Sequence, residues 1–240
     1  MFEVHPNHFV PLPTQRVWRY LAADRLLDLL NTGELYFTNL TCFADSLEGS
    51  LTGRTRAGLA DSFIAHGSSP EQAASEVKMY EGLTRTYYAN CWHMNEHESS
   101  LMWRGYANRG FAIGSTWGRL TEAVAGTPLV IYGSVVHYID FDTVETNSGN
   151  TFDHVAMKDL PYTDEREVRL IYWNPAILNP PIKEPEKGVR VKVDLGRLIE
   201  SISIDPSKPN IAPELLEKFV ELGLAVQGSK LKYRARAIPN

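Results

Sequence analysis

The segment Thr163-Asp164-Glu165-Arg166-Glu167-Val168-Arg169-Leu170 combines residue types and spacing suited to work at a glycosidic carbon. Read as a strand, it points Glu165, Glu167 and Arg169 to one face, and Arg166, Val168, Leu170 and Tyr172 to the other. Two carboxylates at i and i+2 can orient a ribose hydroxyl and polarise a nucleophile. The structural alternative is a solvated strand face on which Glu167 and Arg169 pair weakly.

Three further segments carry groups with chemistry. Arg19 sits between aromatics in Val17-Trp18-Arg19-Tyr20-Leu21, where its charge must be paired or must face a cleft. Cys91, His93 and His97 are zinc-type ligands within seven positions, which raises a zinc-dependent hydrolase as a third reading. No second Cys/His cluster accompanies them and structural sites close with four ligands, so no metal is expected. In the run Leu101 to Ile113, Trp103 and Tyr106 lie three apart on a short helix and share a face. That face is expected to be buried, either as core or as the wall for a flat ring such as adenine or nicotinamide. The chain contains no GxxxxGK[ST], GxSxG or HExxH.

These groups need a scaffold, and the hydrophobic pattern supplies one. Arg16 to Leu21 and Glu34 to Asn39 read as strands around a helix from about Ala23 to Asn31, closed by Gly33. Helices are expected over Ala57 to Ala65 and Glu71 to Tyr80, the second with Ser69 as cap and Pro70 in its first turn. Strands follow at Thr84 to Met94, Gly110 to Thr116, along Thr127 to Asp140, at Asp164 to Trp173, Val189 to Leu195 and Ser201 to Ile204. Short helices are expected at Ser99 to Ala107, Thr116 to Val124 and Gly196 to Ile202, and a longer one at Ala212 to Gly223. Ser229 to Ala237 alternates Lys230, Lys232, Arg234 and Arg236 against apolar residues, a last strand with one wet, charged face. Residues 1 to 16, with three prolines and no period, read as an N-terminal arm, and 17 to 240 as one α+β domain. Its sheet is expected to be mostly antiparallel, open to a split, and surrounded by helices.

Composition narrows the class. With 240 residues, 43% hydrophobic and 22% charged, the chain has a globular balance. Its formal charge of -5 argues against a duplex-DNA binder, while leaving room for a nucleotide site lined by a few arginines. Two cysteines make no disulfide framework, the N-terminus lacks a secretory pattern, and no run has the roughly 20 apolar residues of a membrane helix. A cytoplasmic protein without membrane partners is expected.

The order WRYL…LLDLLNTGELYFTNLTCFADSLEG, CWHMNEHESSLMWRGYANRGFAIG, DEREVRL and ISIDP resembles a bacterial domain-of-unknown-function family, number 2971. The family's usual Asn-Asp-Pro-Phe-Glu loop is here Ala44, Asp45, Ser46, Leu47 and Glu48, keeping both acids and losing the turn proline. The layout is also similar to that of ADP-ribosyltransferases, in which a basic residue on the first strand holds the NAD ribose and a late-strand Glu drives transfer. That resemblance implies Arg19 for the first role, Glu167 for the last and Glu165 as the upstream acid, with Tyr36, Thr38 and Ser115 open for the middle strand. Tyr36, Trp103 or Tyr106 would stack on a ring. The expectation is an NAD-using transferase, of the kind found among bacterial toxins and phage-defence effectors, with a protein or nucleic-acid acceptor. The alternative is a non-catalytic module that binds a nucleotide, an RNA or a protein.

Overall fold

A computed structural model describes residues 1–146, 149–181, 184–205, 207 and 211–231. The fold is α+β. Ten strands form one mixed, mostly antiparallel sheet, and two more form a small parallel one. The chain packs as two compact units, the first from residues 1–10, 36–91 and 128–191, the second from 11–35, 92–127 and 192–240.

In the first unit Glu167–Trp173 lies between Ile131–Val135 and Tyr87–Met94. Its register with Ile131–Val135 is antiparallel and sets Arg169 opposite Ser134. All but the last two residues of Glu167–Trp173 are buried, which accounts for its run Val168, Leu170, Ile171. Two helices, Gly53–Ala65 and Pro70–Glu81, complete this unit with the short Thr151–Val155. Pro70–Glu81 begins as expected: Ser69 and Gln72 form a capping box, satisfying two otherwise orphaned N–H groups.

Two expectations for this unit need correction. The N-terminal arm is partly sheet, because Phe2–Val4 pairs in parallel with Ile131–Val135. The long strand over Thr127 to Asp140 is interrupted at Val136, whose N–H makes the last bond to the Glu167 strand, to the Glu167 carbonyl at 3.0 Å. Beyond the break, His137–Ile139 pairs with Met157–Asp159 in the second sheet and sets Tyr138 opposite Lys158.

The second unit centres on Phe111–Thr116, flanked by Arg16–Leu21 and Ser201–Ile204, both antiparallel to it. Val226–Gly228 adds a parallel edge strand. The helix Ala23–Thr32 buries Leu26, Leu29 and Leu30 and ends at Gly33, whose φ of 62° is the left-handed stop expected of glycine there. Trp18, Tyr20, Met102, Trp103, Ala107 and Ala112 form one apolar cluster, which seats the Ser100–Gly105 helix on the sheet. Of the expected final strand, Ser229 to Leu231 form no strand and residues 232–237 lie outside the described residues.

Candidate functional site

The acidic segment that suggested chemistry is occupied by cations. The strand begins at Glu167, and Glu165 ends the preceding 3-10 turn Leu160–Glu165, with Arg166 left-handed between them at φ 43°. The expected i, i+2 strand pairing of Glu165 and Glu167 is therefore absent; Lys158 brings them together instead. Its Nζ donates to Glu165 Oε2 at 2.5 Å and to Glu167 Oε1 at 3.2 Å, and lies 3.2 Å from Glu48 Oε1. Arg169, wholly buried, donates Nε to Glu167 Oε2 at 2.8 Å and both terminal nitrogens to Glu48, at 2.8 and 3.0 Å. A fourth bond, from Nη1 to the Val155 carbonyl at 2.8 Å, completes its shell.

Three carboxylates thus share two cations with every member buried, an excess of one acid over the bases. Burial alone would raise the Glu167 acid, but Arg169 and then Lys158 outweigh it and hold it at about 2. Burial would lower the Lys158 ammonium, yet Glu167, Glu165 and Glu48 hold it well above the ordinary lysine range. Both oxygens of Glu167 are taken up by these cations, and its backbone N–H donates to Tyr138 Oη at 2.8 Å.

Glu48 and Lys158 are the members that sequence reasoning did not assign. The signal for Glu48 was the retained acid of the Ala44–Glu48 loop. In that loop Asp45 Oδ1 accepts from the Leu47 N–H at 3.0 Å, an Asx turn, and Gly49 turns the chain at φ 73°. Lys158 stands alone in its segment, with no pattern to set it apart.

The other expected residues are placed as follows. In the first unit, Tyr36 and Thr38 occupy alternate positions on Glu34–Asn39, and the Tyr36 ring fills the space where a Cβ on Gly188 would stand. In the second, the Arg19 guanidinium lies 5.9 Å from the Trp92 ring centroid. Ser115 is buried and donates to the Leu198 carbonyl at 2.6 Å, a structural bond. Cys91 and His93 lie on Tyr87–Met94, and among the described residues no group of three His, Cys, Asp or Glu could hold a metal ion. Trp103 is 2% exposed, its Nε1 donating to Glu98 Oε2 at 3.0 Å. Tyr106 is 48% exposed and corrects the expectation of a shared buried face. The helix ends at Gly105, so Tyr106 leaves the helical path and its ring does not follow Trp103 inward.

The first unit also has a cleft at Asn7, His8, His137, Asp153, Ala156 and Met157. His8 is 8% exposed there, with Nε2 3.4 Å from Asp153 Oδ1. Burial and the neighbouring His5 lower its basicity, and burial does the same to His154.

The feature of the second unit best suited to a ligand follows directly from the exposed end of that short helix. Ala107 to Gly110 form a tight turn, closed by the Gly110 N–H on the Ala107 carbonyl at 2.8 Å. Its central residues, Asn108 and Arg109, both have positive φ, 45° and 55°, the pattern of a type I′ turn. Gly110 is obligatory, because a Cβ there would stand 2.1 Å from the Leu21 carbonyl oxygen. The turn and the helix wall a cleft of about 360 Å³ lined by Trp103, Arg104, Asn108, Arg109, Asp205 and Ser207. Arg104 and Arg109 are exposed, and among the described residues neither forms an ion pair. Two guanidiniums, an amide and a hydroxyl therefore line one small space with a single carboxylate.

No protein-family model, curated protein or solved structure matches this chain.

Proposed function

We propose that the chain is a nucleotide-binding module, gripping phosphate oxygens with Arg104 and Arg109 in the second unit's cleft. One observation carries this reading: the position of Arg109 in the type I′ turn. The second central position of such a turn favours glycine, as in Asn-Gly. An L-residue held left-handed costs roughly 1–2 kcal/mol, and such strain collects where a side chain is needed for function. Arginine's planar fork matches phosphate oxygens in a way that no local packing role requires. The cleft volume, about 360 Å³, is in the lower part of the roughly 300–1,000 Å³ range of small-molecule sites and suits a mononucleotide.

The transferase reading retains a nucleotide as its ligand but asks Glu167 to stabilise a cationic sugar. With Arg169 and Lys158 already on that carboxylate, its charge is neutralised within the fold. The geometry therefore favours binding over glycosyl transfer.

Arg109→Gly tests the reading through two opposed effects. The variant has the preferred Asn-Gly turn, so it is expected to gain about 0.5–1 kcal/mol of stability in denaturant unfolding. Its affinity for a nucleoside monophosphate, titrated by calorimetry, should fall roughly tenfold or more, the scale of one lost charge-assisted contact. A stabilised variant with unchanged affinity would remove Arg109 from the site.

A further inference from the structure

Asp205 stands beside two arginines and pairs with neither among the described residues. It is 7% exposed, and its backbone is fixed next to the turn by its N–H bond to the Gly110 carbonyl at 3.1 Å. One carboxylate oxygen, Oδ1, is structural, accepting from the Ser207 N–H at 2.7 Å and from Ser207 Oγ at 2.6 Å. Oδ2 makes no hydrogen bond among the described residues, and Asp205 lines the cleft itself.

The chemistry of a ligand group that could meet this carboxylate follows from the charge of its surroundings. A carboxylate repels phosphate, so the phosphate must lie towards Arg104 and Arg109. What meets Asp205 must donate hydrogen bonds and carry no negative charge. On a nucleotide, the ribose hydroxyls adjoin the phosphate-bearing carbon chain and are donors of this kind. A carboxylate that accepts from a sugar hydroxyl also excludes the analogue lacking it, because the buried acceptor is then left unpaired.

We propose that Asp205 makes this cleft selective for ribonucleotides over deoxyribonucleotides, with Oδ2 accepting from a ribose hydroxyl. The inference rests on the nucleotide-binding reading above, and the experiment separates the two. Wild-type protein and Asp205→Asn are titrated with AMP, 2′-deoxy-AMP and inorganic phosphate. The amide keeps a carbonyl oxygen for Ser207 and replaces the Oδ2 acceptor with a donor. The expected result is that wild type binds AMP at least about tenfold more tightly than the deoxy form. In Asp205→Asn that preference should collapse, while affinity for inorganic phosphate should stay the same or rise. Equal affinity of wild type for AMP and 2′-deoxy-AMP would overturn the ribose inference and leave nucleotide binding standing. Failure of wild type to bind any of the three would overturn both. A preference that survives in Asp205→Asn would overturn the assignment to Asp205, because another group would then read the sugar.

Discussion

Arg169→Met is expected to lower the free energy of unfolding by about 3–5 kcal/mol at neutral pH, the cost of breaking a buried ion pair from one side. The methionine can fill much of the space but removes four hydrogen bonds, three of them to carboxylates. Lys158 would then face Glu48, Glu165 and Glu167 alone, in a site largely withdrawn from water. For a chain of this length the melting temperature should fall by on the order of 10 °C. The loss should be smaller in mild acid, where the stranded carboxylates can protonate. A variant that melts with the wild type would mean that the network is solvated in solution. The companion change Glu167→Gln keeps the side chain's shape and should also reduce stability. If it instead left stability intact and abolished cleavage of NAD, the transferase reading would return.

Acidification is expected to weaken the folded state in two stages, both with the same sign. His8 and His154 have folded-state basicities below the ordinary histidine value of 6.5. Their contribution is complete above that value, and it is lost as pH falls below it, because the unfolded chain takes up protons that the folded one refuses. Glu167, held at about 2 against 4.5 when unfolded, contributes fully above 4.5. On protonation towards pH 2 that contribution disappears, a loss on the order of 3 kcal/mol. Lys158 has the opposite displacement, upward, so its share persists below 10.5 and declines only as pH rises beyond that. Stability measured in urea should therefore be level from about pH 7 to 10 and should drop first below pH 6.5 and again below 4.5. In a His8→Phe, His154→Phe double variant the first drop should disappear and the second remain. A first drop of unchanged size in that variant would assign it to other groups.

Local signals in the sequence determined much of the scaffold. Ser69 and Pro70 marked a helix start because capping is satisfied within one turn, and Gly33 marked a helix end because left-handed φ costs glycine nothing. Alternation and apolar runs identified Arg16–Leu21, Glu34–Asn39, Phe111–Thr116 and Ser201–Ile204 as strands, since burial on a pleated sheet imposes its own period. The same signals failed at Val136, where one strand-like run conceals a change of sheet that is marked only by the tertiary pairing of His137–Ile139 with Met157–Asp159.

Sequence placed Glu167 and Arg169 on one strand face, and pleat geometry made that step secure. Whether the pair was solvated, catalytic or buried depended on Glu48 and Lys158. Arg169 and Glu48 meet across a separation of 121 residues, so no spacing rule could connect them. The cleft has the same origin. Asn108 and Arg109 are adjacent, but their left-handed backbone reflects how closely Gly110 approaches Leu21, and Asp205 arrives from a distant strand end. Elements are specified by neighbours a few residues apart, whereas charge state and cleft composition depend on what tertiary packing withdraws from water and sets side by side.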